Sequence, residues 1–322
     1  MYIVTGGAGF IGSAFARKLN LQGINDLVIV DELKSGESWK NLRKIHYVDY
    51  LDKAEFLKQI ETGSLKIKPK AIIHMGACSA TTETNADYMM ENNYRYTKVL
   101  ADYSVKESIR FIYASSAATY GDGSKGYSDD ESKLSELIPL NVYGYSKQIF
   151  DIYARDKKYL DKICGLKFFN VFGPNEFHKQ DMRSVVLKSY QQIKEKGQVS
   201  LFRSHRPDYQ DGEQKRDFVY VKDCCEVMWE LLNNKVSGVF NLGTGKARSW
   251  NDLVKAVFKA MNLESNISYI DMPENLQKQY QYFTQAEMSK LQASKTKVNF
   301  SSLEDSVKDY VQNYLDKEDN YL

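Results

Sequence analysis

The triplet Gly6-x-x-Gly9-x-x-Gly12 constrains this chain more than any other stretch. It follows Tyr2-Ile3-Val4, an apolar run short enough for a buried strand. It leads into Phe10, Ile11, Ala14, Phe15 and Leu19, which share one side of a helix that Gly23 stops. In a strand–turn–helix the first glycine permits the tight turn. The second lets backbone approach a pyrophosphate, and the third lets the helix pack close to the sheet. The positive end of the helix then faces the phosphates. A glycine triplet also fits a purely structural turn. The second strand, Leu27-Val28-Ile29-Val30, ends on Asp31, where a ribose-binding acid belongs, and this favours a dinucleotide site.

Strand and helix patterns alternate through the first half. Further strands are expected at Ile45–Val48, Ala71–His74, Phe111–Ala114 and Ile163–Phe169, and helices near 53–60, 85–105 and 143–159. This predicts an α/β chain: a Rossmann-type doubly wound parallel sheet with a smaller C-terminal α/β substrate-binding domain. Residues 1–170 form the dinucleotide-binding part, with returning segments near 214–245, and residues 171–322 mainly the substrate-binding part. Asp31, Gly76, Ser116 and Asn170 each follow a strand, so they converge where ligands sit in such sheets. Past residue 170 a helix is expected near 184–195 and strands near 199–202, 218–221 and 239–242. His205–Gln214 carries no core signal and reads as a surface loop, and the last helix spans about 302–315.

The net charge of +2 gives no polyelectrolyte argument for nucleic acid or membrane binding. Cys78, Cys164, Cys224 and Cys225 show neither a zinc spacing nor a disulfide framework, so no metal is expected and a reducing compartment fits. No apolar run is long enough to cross a bilayer, and no leader-like segment precedes the first strand, so a cytoplasmic location is expected.

The chemistry points to Tyr143-Gly-Tyr-Ser-Lys147. At i and i+4 on a helix, phenol and ammonium share a face. A neighbouring cation favours the phenolate, which is expected to lower the tyrosine pKa and make it a proton carrier near neutral pH. Tyr94, Tyr153 and Tyr190 also precede a lysine by four residues and read as helix-surface pairs. Tyr143 differs because Ser116, at a strand end, lies 27 residues before it.

With these motifs the chain resembles the extended short-chain dehydrogenases/reductases, and among them the nucleotide-sugar epimerases. The resemblance spans nearly all of it. Its marks are the glycine triplet, Ala114-Ser-Ser116-Ala-Ala-Thr-Tyr-Gly121, Tyr143-x-x-x-Lys147 and Arg216-Asp-Phe-Val-Tyr-Val221. Longer ones are Gly76-Ala-Cys-Ser-Ala-Thr-Thr-Glu83, Tyr88-Met-Met-Glu-Asn-Asn-Tyr94 and Phe169-Asn-Val-Phe-Gly-Pro174 with His178-Lys179. The resemblance implies an isomerase of an ADP-heptose used in lipopolysaccharide inner core. It inverts C6 through a ketone with tightly bound NADP, NAD being the alternative, and works as a homo-oligomer, a pentamer.

The resemblance also implies site roles. Gly6, Gly9, Phe10, Ile11 and Gly12 meet the cofactor pyrophosphate, and Asp31, Glu32 and Lys53 its adenosine ribose. Met75, Gly76, Ala77, Cys78, Ser79, Asn92 and Val171 line it. Ser116 holds the sugar oxygen, Tyr143 carries a proton and Lys147 meets the nicotinamide ribose. Asn170, Asp181, Lys188, Phe202, Arg203, Ser204, Arg216 and Tyr280 form the substrate side. The chain departs from the family pattern at Ser38, Met75, Asp181 and Lys188, and its 205–214 loop is longer.

Arg216 has an independent rationale, because its planar fork matches phosphate oxygens; a surface ion pair with Asp217 or Asp223 is the alternative. Inversion also asks for a proton carrier at each position of the C6 oxygen. Lys179, beyond the strand end and turn at 170–174, is the candidate for the second, or else it pairs with a phosphate. It would lie beside the cofactor as well. Rival readings are a UDP-hexose 4-epimerase, another nucleotide-sugar dehydrogenase or dehydratase, and a non-catalytic nucleotide sensor. Elimination needs a general acid; related dehydratases carry an acidic pair straight after the catalytic serine or threonine, and Ala117-Ala118-Thr119 offers none.

Overall fold

Ile3-Val4, Leu27–Val30 and Ala71–His74 carry no polar alternation, and such runs are buried on both faces of a parallel sheet. The computed structural model, which describes residues 1–277, 280–294, 296–297 and 299–322, has that sheet. Its strands are β1 (Tyr2–Thr5), β2 (Leu27–Asp31), β3 (Asp49–Asp52), β4 (Ala71–His74), β5 (Arg110–Ser116) and β6 (Cys164–Phe168). Then come β7 (Asn170–Phe172), β8 (Val199–Phe202), β9 (Lys215–Tyr220), β10 (Gly238–Leu242), β11 (Ala247–Ser249) and β12 (Ile267–Ile270). Seven of them form one parallel sheet in the order β10-β6-β5-β4-β1-β2-β3.

The strand order reverses between β1 and β4, so the chain leaves their carboxyl ends in opposite directions and opens a crevice there. The helix Phe10–Leu21 packs beside Val221–Asn233, and Lys53–Glu61 beside Tyr96–Lys106, so the sheet is flanked by helices. β7 and β9 pair in parallel and β11 runs antiparallel on β9. A further pair, β8 with β12, accompanies the helices Val185–Lys196, Trp250–Ala260 and Leu303–Tyr310, which pack on one another.

Three expectations need correction. The third strand is 49–52, not 45–48. It lies at the sheet edge with one hydrogen-bonded neighbour and no buried residue, so no apolar run marks it. Ile45 is buried just before it, and the Val48 amide donates to Leu27 O at 2.8 Å. The helix expected over 85–105 is interrupted by a π segment, Met90–Arg95, a form that gathers at functional sites. The 205–214 loop is exposed over half of its length, but Gly212 and Gln214 at its end are buried.

Beneath β5 lies a fully buried ion pair. Lys167 Nζ stands 2.7 Å from Asp151 Oδ2, and neither side chain reaches solvent. Asp151 also accepts from Tyr113 at 2.9 Å and Ser115 at 2.7 Å, while Lys167 donates to Thr119 at 2.8 Å. Removing one partner of such a pair strands the other charge. Lys167→Met should therefore lower the unfolding free energy by about 3–5 kcal/mol. Urea titration checks this, and an unchanged midpoint would mean the pair is not holding this region.

Candidate functional site

The carboxyl ends of β1 and β4 carry Gly6 and Gly76, whose backbones touch. A Cβ on Gly6 would stand 2.5 Å from Gly76 N, and Gly6 has a φ of +64°. A Cβ on Gly12 would overlap the carbonyl oxygen of Gly6. No side chain caps the first turn of the helix Phe10–Leu21, which starts after Gly9. Gly9, Phe10, Ile11 and Gly12 line a cleft of about 620 Å³. A second cavity of about 180 Å³ shares Gly6, Asp31, Glu32, Gly76 and Ala77 with it. An uncapped helix start facing an elongated, two-part cleft suits a dinucleotide with its phosphates at the turn.

Asp31 is caught by the turn. Its carboxylate accepts from Ala8 N at 2.7 Å and Glu32 N at 2.8 Å, and burial pushes its pKa up against these bonds. At the mouth, Glu32 pairs with Lys53 at 2.8 Å and Lys34 at 3.2 Å, and Lys53 also donates to Asn92 at 3.0 Å.

The 76–79 loop is held by Asn93, which sequence reasoning missed. Asn93 Oδ1 accepts from Cys78 N at 2.8 Å, and its amide nitrogen donates to Cys78 O at 3.0 Å and Ser146 at 3.1 Å. A polar residue one step beyond Asn92 in a helical stretch was the available signal. Behind it, Thr97 donates to Asn93 O at 2.5 Å, so its oxygen must accept from His74 Nε2 at 2.8 Å. That leaves His74 Nδ1 to accept from Thr5 at 2.6 Å. Burial drops the pKa of His74 to about 3, so the imidazole stays neutral beneath the loop.

Ser116, Tyr143, Lys147, Asn170, Val171 and Lys179 line the same cleft, as do Met75, Gly76, Ala77 and Ser79. Cys78, Lys53 and Asn92 line its smaller extension. The expected effect of Lys147 on Tyr143 is not found. Burial raises the phenol pKa, and the Ser116 hydroxyl pulls it part of the way back. The Lys147 ammonium donates instead to Ala114 O at 2.8 Å. Burial lowers its own pKa to about 8, against the opposing pull of Asp151 one turn on. Asp151 too was missed, although a charge at i+4 from Lys147 repeats the spacing of the Tyr143–Lys147 pair. Among the look-alike pairs, Lys157 lies over the Tyr153 ring 6.0 Å from its centroid.

Lys179 sits on the turn Phe177–Met182 with its ammonium 5.3 Å from the centroid of the Phe10 ring. No carboxylate of the described residues lies within ion-pair distance, and burial lowers its pKa. Arg216 is buried behind the cleft wall without the ion pair to Asp217 or Asp223 that the alternative required. Asp217 instead accepts from Thr244, Gly245 and Ala286 amides, and Asp223 from Ser301. The guanidinium donates to Lys215 O and Gln281 O, between the rings of Trp250 and Tyr280. Asp181, Lys188, Phe202, Arg203, Ser204 and Tyr280 do not line the cleft. Lys188 donates to Asp181 O at 2.6 Å, and Arg203 turns to Asp271 at 3.9 Å. Gln281, Thr284 and Trp250 line it in their place; none stands in a motif that singles it out.

Residues 2–243 match the NAD dependent epimerase/dehydratase family. The chain belongs to that family. An ADP-L-glycero-D-manno-heptose-6-epimerase of Nitratidesulfovibrio vulgaris (strain DP4) is 58% identical over the whole of both chains. One of Fusobacterium nucleatum is 52% identical, again over the whole of both chains. Among solved structures, the Helicobacter pylori ADP-L-glycero-D-manno-heptose-6-epimerase is 29% identical with a TM-score of 0.80, covering 97% of this chain and 95% of its own. Family membership accounts for the site lying at the β1–β4 crevice of an epimerase fold.

Lys147 gives this site a pH signature. Its pKa falls from 10.5 in the unfolded chain to about 8 when folded. The unfolded state therefore binds more protons between those values. The destabilisation is full below pH 8 and fades as pH rises from 8 towards 10.5. With dinucleotide removed, Lys147→Met should be more stable than the parent at pH 7, by at most about 3 kcal/mol. That excess should shrink towards pH 10. Urea midpoints at the two pH values check it; an excess that is absent or constant would contradict it.

Proposed function

We propose that this epimerase inverts C6 of an ADP-linked heptose, converting ADP-D-glycero-D-manno-heptose to ADP-L-glycero-D-manno-heptose for lipopolysaccharide inner core. The observation that carries the reading is that Tyr143 and Lys179, two proton carriers from different parts of the chain, line one cleft with the glycine turn. The 58% and 52% identity to heptose 6-epimerases supports the sugar. We take residues 1–170, with returning segments near 214–245, as the dinucleotide half and 171–322 as mainly the substrate half. No helix of the described residues is long and apolar enough to cross a membrane.

A nicotinamide dinucleotide held along Gly6–Gly12, Asp31 and Gly76–Ser79 supplies reversible hydride exchange with the sugar carbon. Everything else falls to the chain. Ser116 holds the C6 oxygen, and Tyr143 exchanges its proton in one position. Burial leaves the phenol reluctant to ionise, and the Ser116 hydroxyl is the group that eases the loss of its proton. Inversion requires the C6 end to turn over, which moves the oxygen away from Tyr143. Lys179 serves it there, and an ammonium destabilised by burial with no ion-pair partner gives up a proton more readily. Arg216, buried without a carboxylate, faces the diphosphate across Gln281 and Trp250. No carboxylate directly follows Ser116, which argues against elimination.

Incubation with ADP-D-glycero-D-manno-heptose and separation of the C6 isomers tests the reaction; turnover of UDP-galactose without it would move the reading to a 4-epimerase. Tyr143→Phe and Lys179→Met should each lose about 10²–10⁴-fold in turnover while keeping bound nucleotide. If Lys179→Met changed only KM, the lysine would be a binding residue and the two-carrier mechanism would fail.

The nucleotide is NADP on this reading. Asp31 gives its charge to backbone amides, and Lys34 and Lys53 flank Glu32 at the adenosine end. Protein purified without added nucleotide should release NADP on denaturation, identified by mass spectrometry. Release of NAD alone would overturn the choice.

A further inference from the structure

Lys179 is carried by a short, kinked 3-10 turn, Phe177–Met182, that stands outside the sheet and its flanking helices. Between β7 and the helix Val185–Lys196 the chain makes two non-glycine excursions to positive φ, Asn175 at 76° and Gln180 at 47°. Such backbone persists only when its surroundings hold it. Here Glu176 closes the turn from both sides. Its fully buried carboxylate accepts from Gly173 N at 3.3 Å, from Ser184 N at 2.5 Å and from Ser184 Oγ at 2.6 Å. Lys179 N donates to Glu176 O at 3.0 Å, so acid and lysine stand on the same single turn. Neither has an ion-pair partner among the described residues.

We propose that Glu176 is a positioning residue for Lys179: it staples the turn that carries the lysine and supplies a buried negative charge beside it. This rests on reading Lys179 as the second proton carrier. The bond pattern alone would make Glu176 a structural staple: both of its oxygens accept, and an amide, whose NH2 cannot accept, would keep only one side of it. The charge adds something an amide cannot supply. A buried carboxylate satisfied only by neutral donors is costly, and a cation on the same turn relieves it. Each charge therefore favours the other, and the two groups titrate as a coupled pair. Burial pulls Lys179 towards neutrality and Glu176 pulls it back. That balance lets the lysine both accept and return a proton.

Other groups around the pair do not replace this charge. His178, next in the turn, has its pKa lowered by burial and by Lys179, and its ring lies 3.3 Å from the Asn41 amide. Tyr310, from the helix Leu303–Tyr310, faces Glu176 and is kept protonated by burial and by that carboxylate. The Arg183 guanidinium turns back to Gln180 O at 2.7 Å. Phe10, from the first helix, offers only its ring, and Tyr143 and Lys147 stand elsewhere on the cleft wall.

The test is ¹³C NMR of protein labelled at lysine Cε, with Lys179→Met identifying the Lys179 signal by difference. In Glu176→Gln the Lys179 midpoint should fall by roughly one pH unit. The limb of the pH–kcat profile that depends on Lys179 should move down with it. Ser184→Ala weakens the staple but keeps the charge, so its Lys179 midpoint should stay at the parent value. An unmoved midpoint in Glu176→Gln, or an equal fall in Ser184→Ala, would reduce Glu176 to a staple and overturn the proposal. Should Glu176→Gln not fold, the reciprocal measurement decides. In protein labelled at glutamate Cδ, Lys179→Met should raise the Glu176 midpoint, and no rise overturns the proposal. The NMR readouts need no substrate. A shifted midpoint in a protein that does not epimerise the heptose would separate failure of the proposed reaction from failure of this inference.

Discussion

The site depends on one backbone contact, that between Gly6 and Gly76 at the ends of β1 and β4. Adjacent parallel strands lie under 5 Å apart, so turns leaving both on the same side collide unless their side chains are absent. Glycine at both positions lets the two turns pass and diverge. The helix start at Phe10 goes one way and the 76–79 loop the other, with the cleft between. Gly12 extends the same logic by letting the helix lie against the Gly6 carbonyl. The uncapped amides, the Asp31 bond to Ala8 and the Asn93 brace on Cys78 all presuppose this crossing.

Beneath the cleft the structure manages charge in a medium that tolerates little of it. Lys147 is buried against Ala114 O, and its nearest strong support, Asp151, is already committed to Lys167. A full ion pair with Asp151 would hold Lys147 firmly protonated; an apolar neighbour would neutralise it. Shared support leaves it at about 8, where protonation remains responsive near neutral pH. His74 completes this arrangement by staying neutral, because burial and the Lys147 charge disfavour its cation, while two hydroxyl neighbours satisfy its ring nitrogens. A second cation there would drive Lys147 lower still.

The sheet and the crevice were legible because both follow from local pattern. Apolar runs at 3–4, 27–30 and 71–74 and the glycine spacing fix strands, turn and crossing with little help from distant contacts. The edge strand 49–52 was not, since one neighbour and a solvent face ask nothing of its side chains. Tyr143, Lys147 and Ser116 were legible as a motif, but the electrostatics were misjudged. Spacing predicts that a lysine at i+4 faces a phenol, yet a carbonyl from β5 competes for the same ammonium, and strand–helix packing decides the winner. On the substrate side the sequence places fewer residues at the cleft. Arg216 sits as a buried cation, but Lys188 and Arg203 turn to partners of their own. Asp181 and Arg203 lie on a turn and a loop, whose path depends on contacts far away in sequence, and Lys188 is set by the helix start that follows that turn.

This difference between the two proton carriers has a physical origin. Tyr143 and Lys147 stand on a helix packed along β5, so that helix and its packing on the sheet set their placement. A group meant to serve another position of the sugar must come from chain that leaves the sheet after β7 and bends back over the cleft. That path has no ladder of backbone bonds to hold it. It relies on left-handed residues at 175 and 180, a buried carboxylate at 176, and side chains drawn from distant segments. Asn175 donates to Ser13 at 2.9 Å and accepts from Leu322 N at 2.9 Å, while Asn41 donates to both Ala8 O and Asn175 O. The same two asparagines thus tie the Lys179 turn to the glycine turn. A change that loosened one would be felt at the other, which is what a reaction shared between dinucleotide and second proton carrier requires.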